Sequence, residues 1–144
     1  MEALAGRPCD AMNRWMIDTS ALAQRAHPEV DERLRRCITD GAAVCDMVVA
    51  ESLVRARSEA DLVARHRLFE TIDVLSIDNE VWDEVFDLAA LLAADGKVVA
   101  TGDAVIGACA RLYGLTVLHY DSDYATLGDV ADLDHEWVVE PGSL

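Results

Sequence analysis

The feature that most constrains the fold of this chain is a series of short, largely apolar segments that alternate with helix signals. The segments have four to six residues and lie at 14–18, 42–45, 73–77, 115–120 and 136–139. Runs of this length between turn and capping residues are typical of buried strands. Because strands that alternate with helices form parallel sheets, the pattern predicts one α/β domain with a central, mainly parallel sheet and helices on both faces.

Capping residues indicate where the intervening helices begin and end. Thr19 or Ser20 can cap the first helix, Pro28 suits the first turn of the second, and Ser58 with Asp61 fits a capping box. The predicted helices span 19–26, 28–41, 47–57, 59–72, 79–95 and about 103–113, with Asp46 and Asp78 as caps and Gly41, Gly96 and Gly114 at helix ends. No helix is predicted between Asp121 and the last strand. Residues 1–13 show no periodicity and are predicted to be a poorly ordered extension or a cloning remnant, so the domain is expected to span 14–144.

Composition excludes several classes of protein. The chain has 144 residues, of which 52 % are hydrophobic, enough for a packed core and too many for a disordered chain. No apolar run approaches the roughly 20 residues of a membrane span, and no secretory signal opens the sequence. The four cysteines form no C-x-x-C pair and the four histidines show no ligand spacing, so zinc is not expected. A reducing, cytoplasmic location fits this cysteine usage.

The net charge of −15 argues against binding to nucleic acid, because a strongly acidic chain repels phosphate. The basic residues are nevertheless unevenly distributed: seven of the twelve lie between positions 33 and 67. A local basic face is therefore possible, and a bound cation would compensate some of the acids. The arginines proposed to contact RNA are Arg35, Arg36, Arg55 and Arg57, and a solvated face or a protein contact is the alternative for all four.

Five acidic residues are predicted to meet at one edge of the sheet. Asp18 directly follows the first strand, and Asp121 follows the strand that ends at residue 120, with Asp123 two residues later. Asp103 begins a helix, and Glu51 lies one turn into the helix after the second strand. In a parallel sheet the carboxyl ends of the strands and the helix starts share an edge, which is where sites form.

Crowded carboxylates repel one another unless a cation compensates them. Mg²⁺ prefers oxygen ligands, polarises phosphoryl oxygens and helps to generate hydroxide, so the set predicts attack by water on a phosphodiester. Each acid also has a simpler interpretation. Asp18 can cap a helix, Asp103 can complement a helix dipole, Glu51 can pair with Arg55, and Asp121 with Asp123 can be a solvated loop.

Four segments carry a resemblance to a known family: MIDTSAL (16–22), VVAESLVRARS (48–58), GDAVIGACARLYGLTVLHYDSDY (102–124) and EWVVEPG (136–142). They resemble the PIN-domain nucleases and, more closely, the VapC-type toxins of bacterial toxin–antitoxin pairs. The resemblance implies a three-layer α/β/α sandwich, often dimeric. It also implies Mg²⁺- or Mn²⁺-dependent endonucleolytic cleavage of RNA, and inhibition by a VapB-type antitoxin.

Carried over by position, the resemblance implies that Asp18, Asp103 and Asp121 hold the metal. Glu51 would orient or deprotonate the attacking water, and Asp123 matches a frequent fifth acid. One departure is His119, which stands where many family members have a hydroxyl residue and which could also be an ordinary strand residue.

Three other functions compete with this one. A D-x-D phosphatase and an EF-hand calcium loop both fail, since Ala125 and Thr126 occupy positions that those motifs need for other residues. A catalytically inactive PIN-like binding module is the remaining alternative, and the complete set of acids disfavours it.

Overall fold

A computed structural model describes residues 13–144, so the predicted extension lies outside the described residues except for Asn13. The sheet has five strands in the order β3-β2-β1-β4-β5, and every neighbouring pair is parallel. The strands are β1 Trp15–Ile17, β2 Ala42–Cys45, β3 Asp73–Leu75, β4 Thr116–His119 and β5 His135–Trp137. The α/β class is confirmed, and the sheet is wholly parallel rather than mainly so.

Seven helices connect and cover the strands within the described part of the chain. They are α1 Thr19–Leu22, α2 Pro28–Gly41, α3 Asp46–Val54, α4 Glu59–Phe69, α5 Asn79–Ala94, α6 Thr101–Tyr113 and α7 Asp123–Ala131. Because crossovers between parallel strands are right-handed, the helices after β1 and β2 lie on one face of the sheet and those after β3 and β4 on the other. The arrangement is the three-layer sandwich expected for a PIN-like fold. No helix among residues 13–144 is long and apolar enough to cross a membrane.

The strand order places a topological switch point between β1 and β4. From β1 the chain builds outward through β2 to β3, then returns to add β4 and β5 on the other side. The connections therefore diverge between β1 and β4 and leave a crevice outside their carboxyl ends. Strands β1 and β4 are among the most buried elements: Met16, Ile17, Val117 and Leu118 are fully buried. A rigid core thus fixes the residues that follow these two strands.

Several predicted caps are confirmed and others are wrong. Ser58 accepts the Asp61 amide at 3.0 Å, and Asp78 accepts the Val81 amide at 3.2 Å, as expected of N-caps. Asp46 does not cap α3, because its carboxylate accepts the amide of Ile77 instead and ties α3 to the chain after β3. A side chain such as that of Asp46 can accept a hydrogen bond from any unpaired backbone amide within reach. The local sequence does not show which of these amides lies nearest in the fold.

The other errors concern the first and the last helix. Helix α1 ends at Leu22 instead of residue 26 and is capped by Asp18, not by Thr19 or Ser20. The prediction missed helix α7 entirely. Its sequence contains Thr126 and Gly128, which weaken the helical signal, and packing supplies the missing stability because Tyr124 and Leu127 are fully buried.

Candidate active site

Asp18 stands at the switch point, directly after β1, and is only 2 % exposed. Its Oδ2 atom accepts hydrogen bonds from the Ser20 amide, at 2.9 Å, and from the Ser20 hydroxyl. The capping interpretation of Asp18 is therefore correct as geometry. It does not compete with a role in a site, because the second carboxylate oxygen points to a different partner.

Three other carboxylates converge outside the ends of β1 and β4. Asp103, Asp121 and Asp123 each offer one oxygen atom, and these three atoms lie within 4.8 Å of one another. Asp103 lies in the first turn of α6 and is buried, whereas Asp121 and Asp123 are half-buried. Asp121 Oδ1 accepts the Asp123 amide at 2.9 Å, and Asp123 Oδ2 accepts the Ala100 amide at 2.9 Å. The loop after β4 is thereby fastened to the start of α6.

Tyr124 joins Asp18 to this group. It lies in the first turn of α7, is fully buried, and donates its phenolic hydrogen bond to Asp18 Oδ1 at 2.6 Å. The same hydroxyl also reaches Asp103 Oδ1 at 3.2 Å. Sequence analysis missed this residue because it predicted no helix here. The sequence feature that could have indicated Tyr124 is its position, since a tyrosine directly follows the pair Asp121 and Asp123.

Glu51 approaches the same edge from α3. Its Oε1 atom accepts a hydrogen bond from the Thr19 hydroxyl at 2.7 Å. Its Oε2 atom lies only 2.5 Å from the position that a Cβ would occupy at Gly102, so the carboxylate rests directly against the backbone at the start of α6. Thr19 and Gly102 are further residues that sequence analysis did not assign to the site, although both adjoin predicted acids in the sequence. Neither contact involves Arg55, the surface partner considered for Glu51.

The electrostatics of the site reflect this crowding. Burial, a hydrogen bond to Asp123 and the charges of Asp18, Asp121 and Asp123 raise the pKa of Asp103 to about 8. At neutral pH and without a cation, the carboxylates therefore retain an extra proton. Burial together with the charges of Asp18 and Asp103 also raises the pKa of Tyr124, so its phenol stays protonated. An oxygen-only donor set that takes up a proton to relieve repulsion fits a hard divalent cation such as Mg²⁺ or Mn²⁺.

Comparison with known proteins agrees with this geometry. The family model described as "PIN domain" matches residues 15–130, which contain strands β1 to β4 and every acid described above. The chain belongs to the PIN domain family.

Relatives of this PIN domain cover nearly the whole chain. Ribonuclease VapC21 of Mycobacterium tuberculosis is 32 % identical over 139 residues, which are 90 % of this chain and 97 % of that protein. Ribonuclease VapC18 of the same organism is 31 % identical over 135 residues, covering 90 % and 98 %. In fold, the domain is similar to a chain in the crystal structure of DNA-bound VapBC from Salmonella typhimurium, with a TM-score of 0.79, 20 % identity, and coverage of 89 % and 100 %. The resemblance seen in the four sequence segments is confirmed.

His119 has a defined place in this PIN domain. It is fully buried, and its Nδ1 atom accepts the Asp121 amide at 3.1 Å. The proton therefore resides on Nε2, which donates to Nδ1 of His135 at 2.8 Å. Burial and the neighbouring His135 lower the pKa of His119 to about 3, so it stays neutral. At this position the chain has a neutral imidazole that holds the backbone of Asp121.

The four arginines named from the sequence divide into two pairs. Arg55 and Arg57 line a groove of about 510 Å³ that also contains Arg25, Arg65 and Thr19, the residue bonded to Glu51. We call it the arginine groove, after the four arginines that line it: Arg25, Arg55, Arg57 and Arg65.

Arg35 and Arg36 line a separate cavity of about 610 Å³ with Trp15 and Asp40. Trp15 is the first residue of β1, so this cavity reaches the amino end of that strand. Arg35 is also paired with Asp31 at 2.8 Å. Only Arg55 and Arg57 of the four therefore lie beside the acidic site.

Proposed function

We propose that this PIN domain is the toxin of a type II toxin–antitoxin pair and acts as a metal-dependent endoribonuclease. The observation that carries the proposal is the meeting of carboxylate oxygens from Asp103, Asp121 and Asp123 within 4.8 Å, with Asp18 joined to them through the Tyr124 phenol. Similarity to ribonucleases VapC21 and VapC18 over nine-tenths of the chain supports the reaction class. Degenerate, purely binding versions of such a site would not need to keep every acid.

The acids divide into holders of the cation and a carboxylate that acts on water. Asp18, Asp103 and Asp121 would hold Mg²⁺, or Mn²⁺, with Asp123 contributing to the same group. When bound, the cation would neutralise negative charge on the phosphodiester and lower the pKa of a bound water molecule. Glu51 lies outside the group formed by Asp103, Asp121 and Asp123; it accepts the Thr19 hydroxyl and lies against the backbone at Gly102. That position suits a carboxylate that orients a water molecule or accepts its proton.

The RNA strand would enter along the arginine groove. Arg55 and Arg57 have no side-chain hydrogen bond or ion pair to another side chain among the described residues, so their guanidinium groups are available for phosphate. Arg65 is fixed by Asp61 and by the carbonyl oxygen of Ser52, and it therefore supplies positive charge in one place. Because the groove shares Thr19 with the acidic site, a strand lying in it can reach the carboxylates.

Two protein partners complete the proposal. The structural neighbours include VapBC from Salmonella typhimurium and VapBC2 from Rickettsia felis, which supports a VapB-type antitoxin as the inhibitor of this chain. A homodimer is supported by an apolar face along α5 and the segment before α6, where Trp82 is 50 % and Val98 is 90 % exposed around a groove of about 550 Å³. The three described cysteines are unpaired, which is consistent with the expected cytoplasmic location.

The decisive experiment compares cleavage of purified RNA by the wild type and by the double variant Asp18→Asn plus Asp103→Asn, with Mg²⁺ or Mn²⁺ and with EDTA. We expect cation-dependent cleavage by the wild type and a rate lower by about a hundredfold or more in the double variant, since it loses two members of the cluster. Asp129→Asn is the matched control, because Asp129 is an exposed acid on α7 outside the cluster.

Cation-dependent stabilisation provides a second measurement that is insensitive to contaminating nucleases. The wild type should melt at a higher temperature with Mn²⁺, and the double variant should not. If both proteins respond equally to the cation and neither cleaves RNA, the inactive binding module becomes the better description.

A further inference from the structure

We propose that Tyr124 is a positioning residue of the metal site, whose phenol holds Asp18 and Asp103 in a fixed mutual placement. The inference rests on the proposed function, because it concerns the same group of carboxylates. It extends the proposed function by assigning a role to Tyr124, a neutral residue that is not part of the acidic set.

Hydrogen bonds occupy both carboxylate oxygens of Asp18. Its Oδ2 atom is already occupied by the amide and the hydroxyl of Ser20. Its Oδ1 atom bonds to the Tyr124 hydroxyl at 2.6 Å, and that hydroxyl is also 3.2 Å from Asp103 Oδ1. Asp18 follows β1 and Asp103 lies in the first turn of α6, so the two carboxylates come from separate parts of the fold. Among the described residues, the phenol is the one side chain bonded to both.

The phenol of Tyr124 is itself immobilised. Tyr124 is fully buried, and its ring packs against the imidazole of His119 with centroids 4.9 Å apart. His119 is in turn fixed by the Asp121 amide and by His135. A side chain held on both sides retains its rotamer, so its hydroxyl is a fixed point rather than a mobile contact.

Tyr124 belongs to the same segment of the chain as two of the acids. It directly follows the loop that carries Asp121 and Asp123, and it lies in the first turn of the helix that anchors that loop. A single segment therefore supplies two carboxylates and also the hydroxyl that holds the other two. Any displacement of this segment would change the whole site together.

The consequence for function follows from the chemistry of ligand orientation. Carboxylates that bind a metal ion are normally held by hydrogen bonds from neighbouring groups, and losing such a neighbour typically costs about 10- to 100-fold in metal affinity or activity. Tyr124 would not touch substrate. Its effect would pass through Asp18 and Asp103, by keeping both carboxylates in the placement in which they would hold the cation.

The test is the affinity for Mn²⁺, measured by electron paramagnetic resonance of the free ion, in the wild type, Tyr124→Phe and Tyr120→Phe. We expect Tyr124→Phe to weaken Mn²⁺ binding about tenfold or more, and high Mn²⁺ to restore much of the cleavage rate. Tyr120→Phe is the matched control. It removes the same hydroxyl from a tyrosine of the neighbouring loop, whose phenol accepts the Gly142 amide and contacts no acid of the site among the described residues.

The outcomes separate this inference from the proposed function. Failure of the wild type to bind Mn²⁺ would refute the metal site itself. Normal Mn²⁺ binding by the wild type, with equal affinity in Tyr124→Phe, would leave the proposed function intact and overturn the role of Tyr124. A variant that is merely less stable would melt earlier but bind Mn²⁺ as tightly as the wild type once folded.

A second measurement covers the case in which Tyr124→Phe does not fold. The wild-type chain labelled with 3-fluorotyrosine keeps every hydroxyl, and its fluorine resonances can be assigned with Tyr→Phe variants at the other tyrosine positions. Titration with Mg²⁺ should shift the Tyr124 resonance more than that of Tyr120. Binding of Mg²⁺ without any change at Tyr124 would contradict the inference.

Discussion

Replacing Asp103 by asparagine should abolish a specific loss of stability that accumulates as the pH rises from about 4 to about 8. In the folded protein without a cation, the pKa of Asp103 is about 8, mainly because of burial, against 3.8 for an ordinary aspartate. A raised pKa means that the folded state holds a proton that the unfolded state has lost. The resulting stabilisation is fully present below pH 3.8 and disappears as the pH rises through about 8.

The size of the effect follows from this difference in proton binding. While the folded state retains one proton more than the unfolded state, the unfolding free energy falls by about 1.4 kcal/mol per pH unit. Between about pH 6 and pH 9, with the folded pKa at about 8, the loss amounts to roughly 3 kcal/mol. The asparagine of the Asp103→Asn variant has no such proton to lose, so the unfolding free energy of the variant relative to the wild type should rise by that amount over the same interval.

The assay is urea unfolding in EDTA at several pH values from about 6 to 9. Groups that titrate outside the acidic cluster, His119 among them, are common to both proteins and cancel in the difference. The Asp129→Asn variant, changed in an exposed acid, should run parallel to the wild type. A difference between Asp103→Asn and the wild type that stays constant with pH would show that the carboxylates are not crowded enough to hold a proton, and the electrostatic argument for a cation would fail.

Two further predictions address the surroundings of the acids. Gly102→Ala should lower the cleavage rate about tenfold or more while leaving the fold and Mn²⁺ binding largely unchanged. The reason is that a Cβ at position 102 would lie 2.5 Å from Glu51 Oε2 and push that carboxylate away. An unchanged rate, measured at saturating Mn²⁺, would contradict the role of Glu51. Replacing Arg55 and Arg57 together by glutamine should weaken binding of RNA to a cleavage-deficient variant and reduce the salt dependence of that binding by about one to two released ions. Arg36→Gln should change neither quantity, and filter binding at several salt concentrations measures both. Equal effects of the two changes would refute the arginine groove as the RNA path.

The sequence was sufficient to predict the sheet and the edge at which the acids meet. Short apolar strands have a clear sequence pattern. An acid that follows a parallel strand lies at the carboxyl edge of the sheet, as Asp18 and Asp121 do. Helix α7 could not be predicted because its stability comes from burying Tyr124 and Leu127, a contribution that intrinsic propensity does not contain. Without that helix, the position of the Tyr124 phenol was also out of reach.

The arginines illustrate a different limit of sequence-based prediction. Arg35, Arg36, Arg55 and Arg57 lie close together in the sequence and looked equivalent. Strand β2 and helix α3 lie between the two pairs along the chain, because α2 returns the chain to the amino end of β2 and α3 begins at its carboxyl end. Closeness in sequence therefore did not translate into one basic face. The position of a charge relative to the two edges of the sheet depends on topology, which only the assembled fold supplies.

The proposed RNA path has to be reconciled with the net charge of −15. At physiological ionic strength the field of a surface charge decays over about 8 Å, so phosphate responds to the charges beside it rather than to the total. Arg25, Arg55, Arg57 and Arg65 line one groove next to the acids. The acids themselves would be neutralised in part by the cation that they hold. An RNA strand would therefore meet a positive groove that leads to a compensated site, and the remaining negative surface would repel strands that approach from any other direction.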